Sequence, residues 1–167
     1  MKQFTRSIPS QYFYSKKRIH YLLKNTHLQD NLIKAYNEAE YRVNGFSEPI
    51  YIGKHSEDAD KVLSKNNLTE WAYITAYNPM SCSLEEEENI RRNSELRKLV
   101  NDYIVIEGEG QDKQKEWPAE KSIFIAGISL DNAKSLAVTF GQRAIVYGQL
   151  EQPATLIITL DRLGNPG

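Results

Sequence analysis

The run from Trp71 to Tyr77 constrains the fold most strongly, because it is short and rich in aromatic and β-branched side chains. Runs of this length and composition are typical of a strand that is covered on both faces of a sheet. Asn78 and Pro79 follow, and proline lacks the amide donor that a continuing strand needs. We therefore predict a central strand that ends near Tyr77.

A helix is predicted directly after this strand. Ser83 is followed three residues later by Glu86, which is the spacing of a capping box. Four consecutive acids, Glu85 to Glu88, fall in the first turn, where the helix dipole favours negative charge. The pattern predicts a helix that begins near Leu84, with the glutamate run as its solvated start.

One side of this helix is predicted to be apolar late and polar early. At about 100° per residue, six side chains share one face; they are Asn89, Arg92, Asn93, Leu96, Leu99 and Val100. A buried polar group must be hydrogen-bonded, either within the protein or to a bound molecule. The polar half therefore either ties down the neighbouring loop or contributes to a binding site.

The rest of the chain alternates between strand and helix patterns from Tyr51 to Tyr147. Ser56 and Ser129 stand where helix caps are expected, and Gly141 follows the second of these helices as a left-handed terminator. Two early strands, Ala39–Val43 and 49–53, are predicted to form an antiparallel hairpin, so the sheet is expected to be mixed.

These patterns predict one α/β (or α+β) domain with a mixed sheet of about six or seven strands flanked by helices. We expect this domain to span residues 32–167. Residues 1–31 are predicted to form a helical, basic and aromatic-rich N-terminal extension. The length of 167 residues suits one domain with its own core.

Composition narrows the function classes. Cys82 is the single cysteine, so neither an internal disulfide nor a cysteine-based zinc site is expected. No apolar run is long enough to span a membrane, and no secretory signal pattern is present. We predict a soluble, cytoplasmic protein with no membrane partner. No motif indicates a cofactor, and the residues leave open whether the protein is an enzyme.

The N-terminal arm has a charge of its own. Residues 1–27 contain six basic side chains and no acid, whereas the whole chain has a net charge of -1. Aromatic residues lie between these bases, which is a common arrangement for single-stranded nucleic acid. Two interpretations of the arm stay open: it is a packed amphipathic helix, or it is a surface that binds nucleic acid or protein.

Two further features lie between the later strands. Glu107, Glu109 and Asp112 flank two glycines, an arrangement that a hard cation can use. Cation sites of this kind usually take their ligands from distant segments of the chain. We therefore interpret this segment as an acidic turn and predict no metal site. Trp117 lies among charged neighbours, where a large ring must cover either the core or a ligand.

Several short motifs, taken in order, resemble the bacterial family known as domain of unknown function 3293. They are TAYNP at 75–79, the pair Glu88 and Asn89, GEG at 108–110, WPAEKS at 117–122 and GQRAIVY at 141–147. The resemblance extends from about Leu32 to Tyr147 and supplies no substrate, since no activity is established for the family. It adds weight to polar residues at strand ends, namely Thr75, Asn78, Asn89, Glu109, Trp117, Glu120 and Gln142.

Ligands of open α/β sheets bind beside the carboxyl ends of strands, and the polar helix face is predicted to lie at such an end. The first hypothesis is therefore a pocket for a small polar, nucleotide-like or anionic ligand. Its predicted binding residues are Thr75, Asn78, Asn89, Arg92, Trp117 and Gln142. In it Arg92 supplies a forked cation, and Glu109 or Glu120 is the candidate general base. The alternative is a non-enzymatic adaptor that works through the basic arm.

Overall fold

The computed structural model describes residues 26–115, 117–161 and 165–167. Four helices lie in this part of the chain: α1 (Thr26–Glu38), α2 (Glu57–Lys65), α3 (Glu86–Leu99) and α4 (Leu130–Thr139). Six strands accompany them: β1 (Glu40–Val43), β2 (Glu70–Thr75), β3 (Ile104–Gln111), β4 (Glu120–Ala126), β5 (Ala144–Gln149) and β6 (Thr155–Ile158). Most of the predicted N-terminal extension lies outside the described residues.

The six strands form one curled sheet in the order β1-β3-β4-β2-β5-β6. The α/β class, the strand number and the central position of β2 are as predicted. The strand directions differ from the expected mixture, because all five neighbouring pairs are antiparallel. The predicted hairpin is also reduced, since the segment after β1 contributes only an isolated bridge between Tyr41 and Ile50.

The reason for the uniform direction lies in the helical connections. The β2-α3-β3 and β4-α4-β5 units each join two strands that run the same way, but an antiparallel strand lies between them. β4 separates β2 from β3, and β2 separates β4 from β5. Two such split β-α-β units make the ferredoxin-like topology. Parallel strands are therefore present, but they are never neighbours.

Helices α3 and α4 cover one face of the sheet. Leu96 of α3 and Leu136 of α4 are fully buried against Ile74, Ile123 and Ile125 of the central strands. The predicted inward stripe of α3 is confirmed, since Asn89, Arg92, Asn93 and Leu96 are its buried residues.

The opposite face is closed by aromatic residues and α2 at one end of β2. The rings of Trp71 and Phe124 stack with centroids 5.2 Å apart, and Leu63 of α2 belongs to the same apolar cluster. A methyl group at Gly148 would come within 2.4 Å of the Trp71 ring, so only glycine leaves room for that ring. The other end of this face is not filled in the same way, and the candidate site lies there.

The hydrogen bonds at the N-terminal ends of the helices can be compared with the predicted caps. Ser56 accepts from the amide of Ala59, and Ser129 accepts from the amide of Asn132, each at 3.3 Å, so both predicted caps are confirmed. The predicted capping box at Ser83 is wrong. α3 begins at Glu86, so the N-cap position is Glu85 and not Ser83, and no side chain caps the helix. The Glu86 carboxylate accepts from the hydroxyl of Tyr77 at 3.0 Å.

No helix within the described ranges is both long and apolar enough to cross a membrane.

Candidate functional site

A cavity of about 160 Å³ lies at the end of β2 where the strand leaves the sheet, between α1 and the sheet face that also carries Trp71. Helix α1 contributes one wall, and strands β1 to β6 with their loops contribute the rest. The residues that line the cavity include Tyr36, Tyr41, Tyr73, Trp117, Glu120 and Gln142. Three tyrosines contribute aromatic surface to a mainly apolar wall, which also includes Asp112, Glu120 and Arg143.

The loop after β2 borders this cavity in an unusual backbone conformation. Asn78, Met80 and Ser81 have φ angles of 45°, 55° and 58°, in the left-handed region. Non-glycine residues occupy this region at a cost of about 1–3 kcal/mol each and do so where surrounding contacts impose it. One such contact is the hydrogen bond from the Met80 amide to the carbonyl of Gly141, at 2.7 Å.

Asn78 connects this loop to α3 and β4. Its side-chain oxygen accepts from the amide of Leu84 at 3.1 Å and from the side chain of Asn89 at 2.9 Å. Its side-chain nitrogen donates to Glu120 Oε1 at 2.7 Å. Because two donors fix the oxygen, the amide group has one orientation, and its nitrogen must point toward Glu120. The backbone amide of Asn78 also donates to Asn89 Oδ1, at 2.9 Å.

Glu120 begins β4 and is half-buried at the cavity. Burial raises the pKa of its carboxyl group above the usual range, and the hydrogen bond from Asn78 opposes that effect only in part. Among the described residues, Asn78 is its only hydrogen-bond donor. A carboxyl group with a raised pKa and an available oxygen is suited to exchanging a proton with a bound molecule.

Two of the cavity tyrosines use their hydroxyl groups within the protein, so their rings are the part available at the cavity. Tyr41 donates to the carbonyl of Tyr36 at 2.6 Å, and Tyr73 donates to the carbonyl of Arg42 at 2.9 Å. Burial raises the pKa of both phenols, so they stay neutral. Their rings meet edge to face with centroids 5.5 Å apart.

Arg92 lies behind the cavity and does not line it. The side chain is 2% exposed, donates from Nε to the carbonyl of Ala76 at 2.9 Å and also donates to the carbonyl of Phe140. Its guanidinium group lies over the Phe140 ring, 5.8 Å from the centroid. These contacts tie α3 to the end of β2 and the end of α4, and ligand binding by Arg92 and Asn89 stays a prediction.

Thr75, Gln142 and Trp117 line the cavity. The Thr75 hydroxyl donates to the carbonyl of Lys121 at 2.7 Å, and the Gln142 amide donates to the carbonyl of Tyr77 at 2.7 Å. Trp117 is 61% exposed, so most of its surface is not covered by the protein. An exposed indole beside a cavity is available to a bound molecule.

Glu109 is separated from the other predicted residues. Successive residues of a strand point to opposite faces, and a methyl group at neighbouring Gly110 would lie 3.7 Å from Ser122 Oγ, on the cavity side. Glu109 therefore points to the other face, where it is exposed, and it does not line the cavity. Of the two candidate bases, the structure places only Glu120 there.

Sequence reasoning missed the three tyrosines. Tyr73 stands two residues before Thr75, so strand alternation alone places both on one face, and that signal was present. Tyr36 and Tyr41 carried no comparable signal, because nothing local indicates that α1 packs across the end of β2.

No group of three His, Cys, Asp or Glu side chains within the described ranges is arranged to hold a metal ion.

Comparison with known proteins adds one finding. No curated protein matches the chain, and no solved structure does. One family model matches from Ile74, near the end of β2, to Ile145 in β5, so it includes Thr75, Asn78 and Glu120. Helix α1 and strands β1 and β6 lie outside the match. The resemblance drawn from the motifs is confirmed over residues 74–145, which match the family described as "Protein of unknown function (DUF3293)".

Proposed function

We propose that this protein binds a small organic molecule in the cavity between α1 and the sheet. The observation that supports the proposal best is the Glu120 carboxyl group, which is partly removed from water at a cavity and oriented by Asn78. Proteins rarely keep a charged group away from water without a partner, and a ligand can provide one. Concave sites with a mainly apolar wall and a few placed polar groups are typical of small-molecule binding.

The ligand combines a ring or other apolar part with a polar group. Tyr36, Tyr41 and Tyr73 supply aromatic surface, Trp117 lies at the edge of the cavity, and Glu120 supplies the polar contact. Asn89 and Arg92 support this wall from behind through Asn78 and the carbonyl of Ala76. If the ligand is chemically changed, Glu120 is the group positioned to exchange a proton with it.

Intrinsic fluorescence provides a direct test, because the chain has two tryptophans in different environments. Trp71 is 2% exposed in the apolar cluster, whereas Trp117 is 61% exposed beside the cavity. A ligand found by a thermal-shift screen of the full chain should change the emission of the wild type. The change should be lost in Trp117→Phe, and the thermal shift should be reduced in Glu120→Gln.

Glu109→Gln is the matched control, since it removes the same charge from the other face of the sheet. Replacing Lys16, Lys17 and Arg18 by glutamine in the full chain tests the adaptor hypothesis. The proposal fails if every stabilising compound acts equally on the wild type, Glu120→Gln and Trp117→Phe. A stabilising compound whose effect disappears only in the triple glutamine variant favours the N-terminal arm.

A further inference from the structure

The geometry points to a more specific ligand: we propose that the cavity selects a small organic cation, such as a primary amine attached to an aromatic or apolar group, with Glu120 as its counter-ion. This inference rests on the proposed function. It differs from the anionic or nucleotide-like ligand that the sequence suggested.

The hydrogen bonds of the wall favour a ligand that donates. Four hydroxyl groups at the cavity already donate to backbone carbonyls; they belong to Tyr41, Tyr73, Thr75 and Ser122. The side-chain nitrogens of Asn78 and Gln142 are engaged in the same way, with Glu120 and with the carbonyl of Tyr77. These groups therefore already donate their hydrogen bonds within the protein.

Acceptors remain at the cavity. A carboxylate can accept about four hydrogen bonds. Glu120 receives one from the described part of the chain, at Oε1. The side-chain oxygen of Gln142 receives none from any described residue. An ammonium group has three donors and no acceptor, so it complements this wall.

The charges at the cavity point the same way. The charged lining residues are Asp112, Glu120 and Arg143, two acids and one base. Burial raises the pKa of Tyr36, an effect that Arg143 opposes in part, whereas burial and the Asn78 hydrogen bond act on the pKa of Glu120. Arg143 lines the same cavity, but the Glu120 carboxyl group forms no ion pair with a described base, and a cationic ligand would supply one.

The aromatic surface is also suited to a cation. The faces of tyrosine and tryptophan rings attract positive charge, and aromatic cages of this kind recognise organic ammonium groups. Tyr36, Tyr41 and Tyr73 line the cavity, and burial raises the pKa of all three phenols, so they do not add negative charge near neutral pH. Rings, an oriented carboxylate and committed donors together describe a site for an amine.

A matched set of probes tests this inference. Benzylammonium, benzyl alcohol and benzoate share one ring and differ in the charge of the attached group. We expect calorimetric titration of the full wild-type chain to show at least tenfold tighter binding of benzylammonium than of benzyl alcohol, with benzoate weakest. The n-butyl series, with the same three head groups, repeats the comparison without the ring.

The variants locate the effect. Glu120→Gln, which keeps the shape and the acceptor for Asn78, should reduce the preference for the ammonium probe at least tenfold, whereas Glu109→Gln should keep it. If benzoate or the alcohol binds as tightly as the ammonium probe, the inference is overturned and small-ligand binding stands. A preference that survives in Glu120→Gln also overturns it. If neither these probes nor the screened compounds bind the wild type, both proposals fail.

Discussion

Arg92 and Glu120 are two charged groups removed from water on opposite sides of the loop after β2, and the protein treats them differently. Arg92 is 2% exposed, and backbone carbonyls of Ala76 and Phe140 accept its hydrogen bonds. Glu120 is half-buried at a cavity, and among the described residues only Asn78 donates a hydrogen bond to its carboxyl group. A buried charge that is enclosed by backbone acceptors serves the fold. One that faces a cavity with most of its acceptor capacity unused is available to a ligand.

The comparison shows that burial alone does not identify a binding residue. Both residues follow from sequence patterns, and the sequence hypothesis gave the forked cation of Arg92 the leading role. The contacts of Arg92 tie α3 to the ends of β2 and α4, whereas we propose that Glu120 contacts a bound molecule. The following experiments separate the two roles, from the largest expected effect to the smallest.

Arg92→Met should lower the free energy of unfolding by roughly 3 kcal/mol, because two buried carbonyls lose their donors. For a chain of this size that corresponds to a fall in Tm of roughly 6–12 °C. Urea denaturation measures the change, and ligand affinity of the folded variant should stay near that of the wild type. Arg91→Met is the control, since Arg91 makes exposed ion pairs with Glu88 and Glu95, and it should change stability by less than about 1 kcal/mol. A folded Arg92→Met protein that has lost only ligand binding would reverse the assignment.

Asn78→Ala should cost roughly 2–3 kcal/mol, since it removes three side-chain hydrogen bonds and places alanine at a positive φ. Asn78→Gly loses the same bonds but tolerates that backbone angle, so it should be roughly 1 kcal/mol more stable than the alanine variant. Chemical denaturation of the pair separates backbone strain from hydrogen bonding. Both variants should also weaken amine binding, because Glu120 loses its orientation. Equal stability of the two would show that the left-handed conformation carries no cost.

Glu120→Gln should raise the stability of the ligand-free protein at neutral pH by about 1 kcal/mol, the scale of one poorly paired buried polar group. A folded pKa above the ordinary value of 4.5 means that the native state holds its proton more tightly than the unfolded state. Wild-type stability should therefore fall, relative to Glu120→Gln, as pH rises from 4.5 through the raised pKa. Thermal unfolding of both proteins across this range measures the difference. A constant difference would show that Glu120 is as well solvated in the folded protein as in the unfolded one.

Glu109→Gln should change neither stability nor ligand affinity by more than about 0.5 kcal/mol, because its side chain is exposed on the other face of the sheet. Stability and ligand affinity should be measured side by side for Glu109→Gln and Glu120→Gln, which compares the two faces of the sheet directly. The two glutamates are on neighbouring strands, but Glu109 is exposed on one face of the sheet and Glu120 is half-buried on the other. A loss of ligand binding in Glu109→Gln would place the binding site on the α3 side of the sheet.

The sequence predicted those parts of the fold that depend on local pattern. The Trp71 to Tyr77 run, the serine caps at 56 and 129 and the inward stripe of α3 each rely on residues close in the chain. The capping box at Ser83 was wrong because the helix begins later, at Glu86, whose carboxylate accepts from the hydroxyl of Tyr77. The prediction of a mixed sheet was wrong for a related reason, because local sequence pattern does not show which strands become neighbours.

The candidate site was predicted in part. Thr75, Asn78, Trp117, Glu120 and Gln142 do line one cavity. The separation of Glu109 from Glu120 depends on the register of β3 against β4, in which Glu109 is opposite Lys121. Residue spacing predicts neither that register nor the position of α1 beside the cavity. The aromatic wall could therefore be recognised only in the structure.

The placement of β2 between β4 and β5 also bears on how the chain is made. Synthesis proceeds from the N-terminus, so β2 leaves the ribosome before either of the strands that will flank it. Until β4 and β5 follow, the aromatic run at Trp71 has no sheet neighbour and can pair with other chains. Translation speed between Thr75 and Ala144, and access of chaperones to that interval, should therefore influence how much protein reaches the native state.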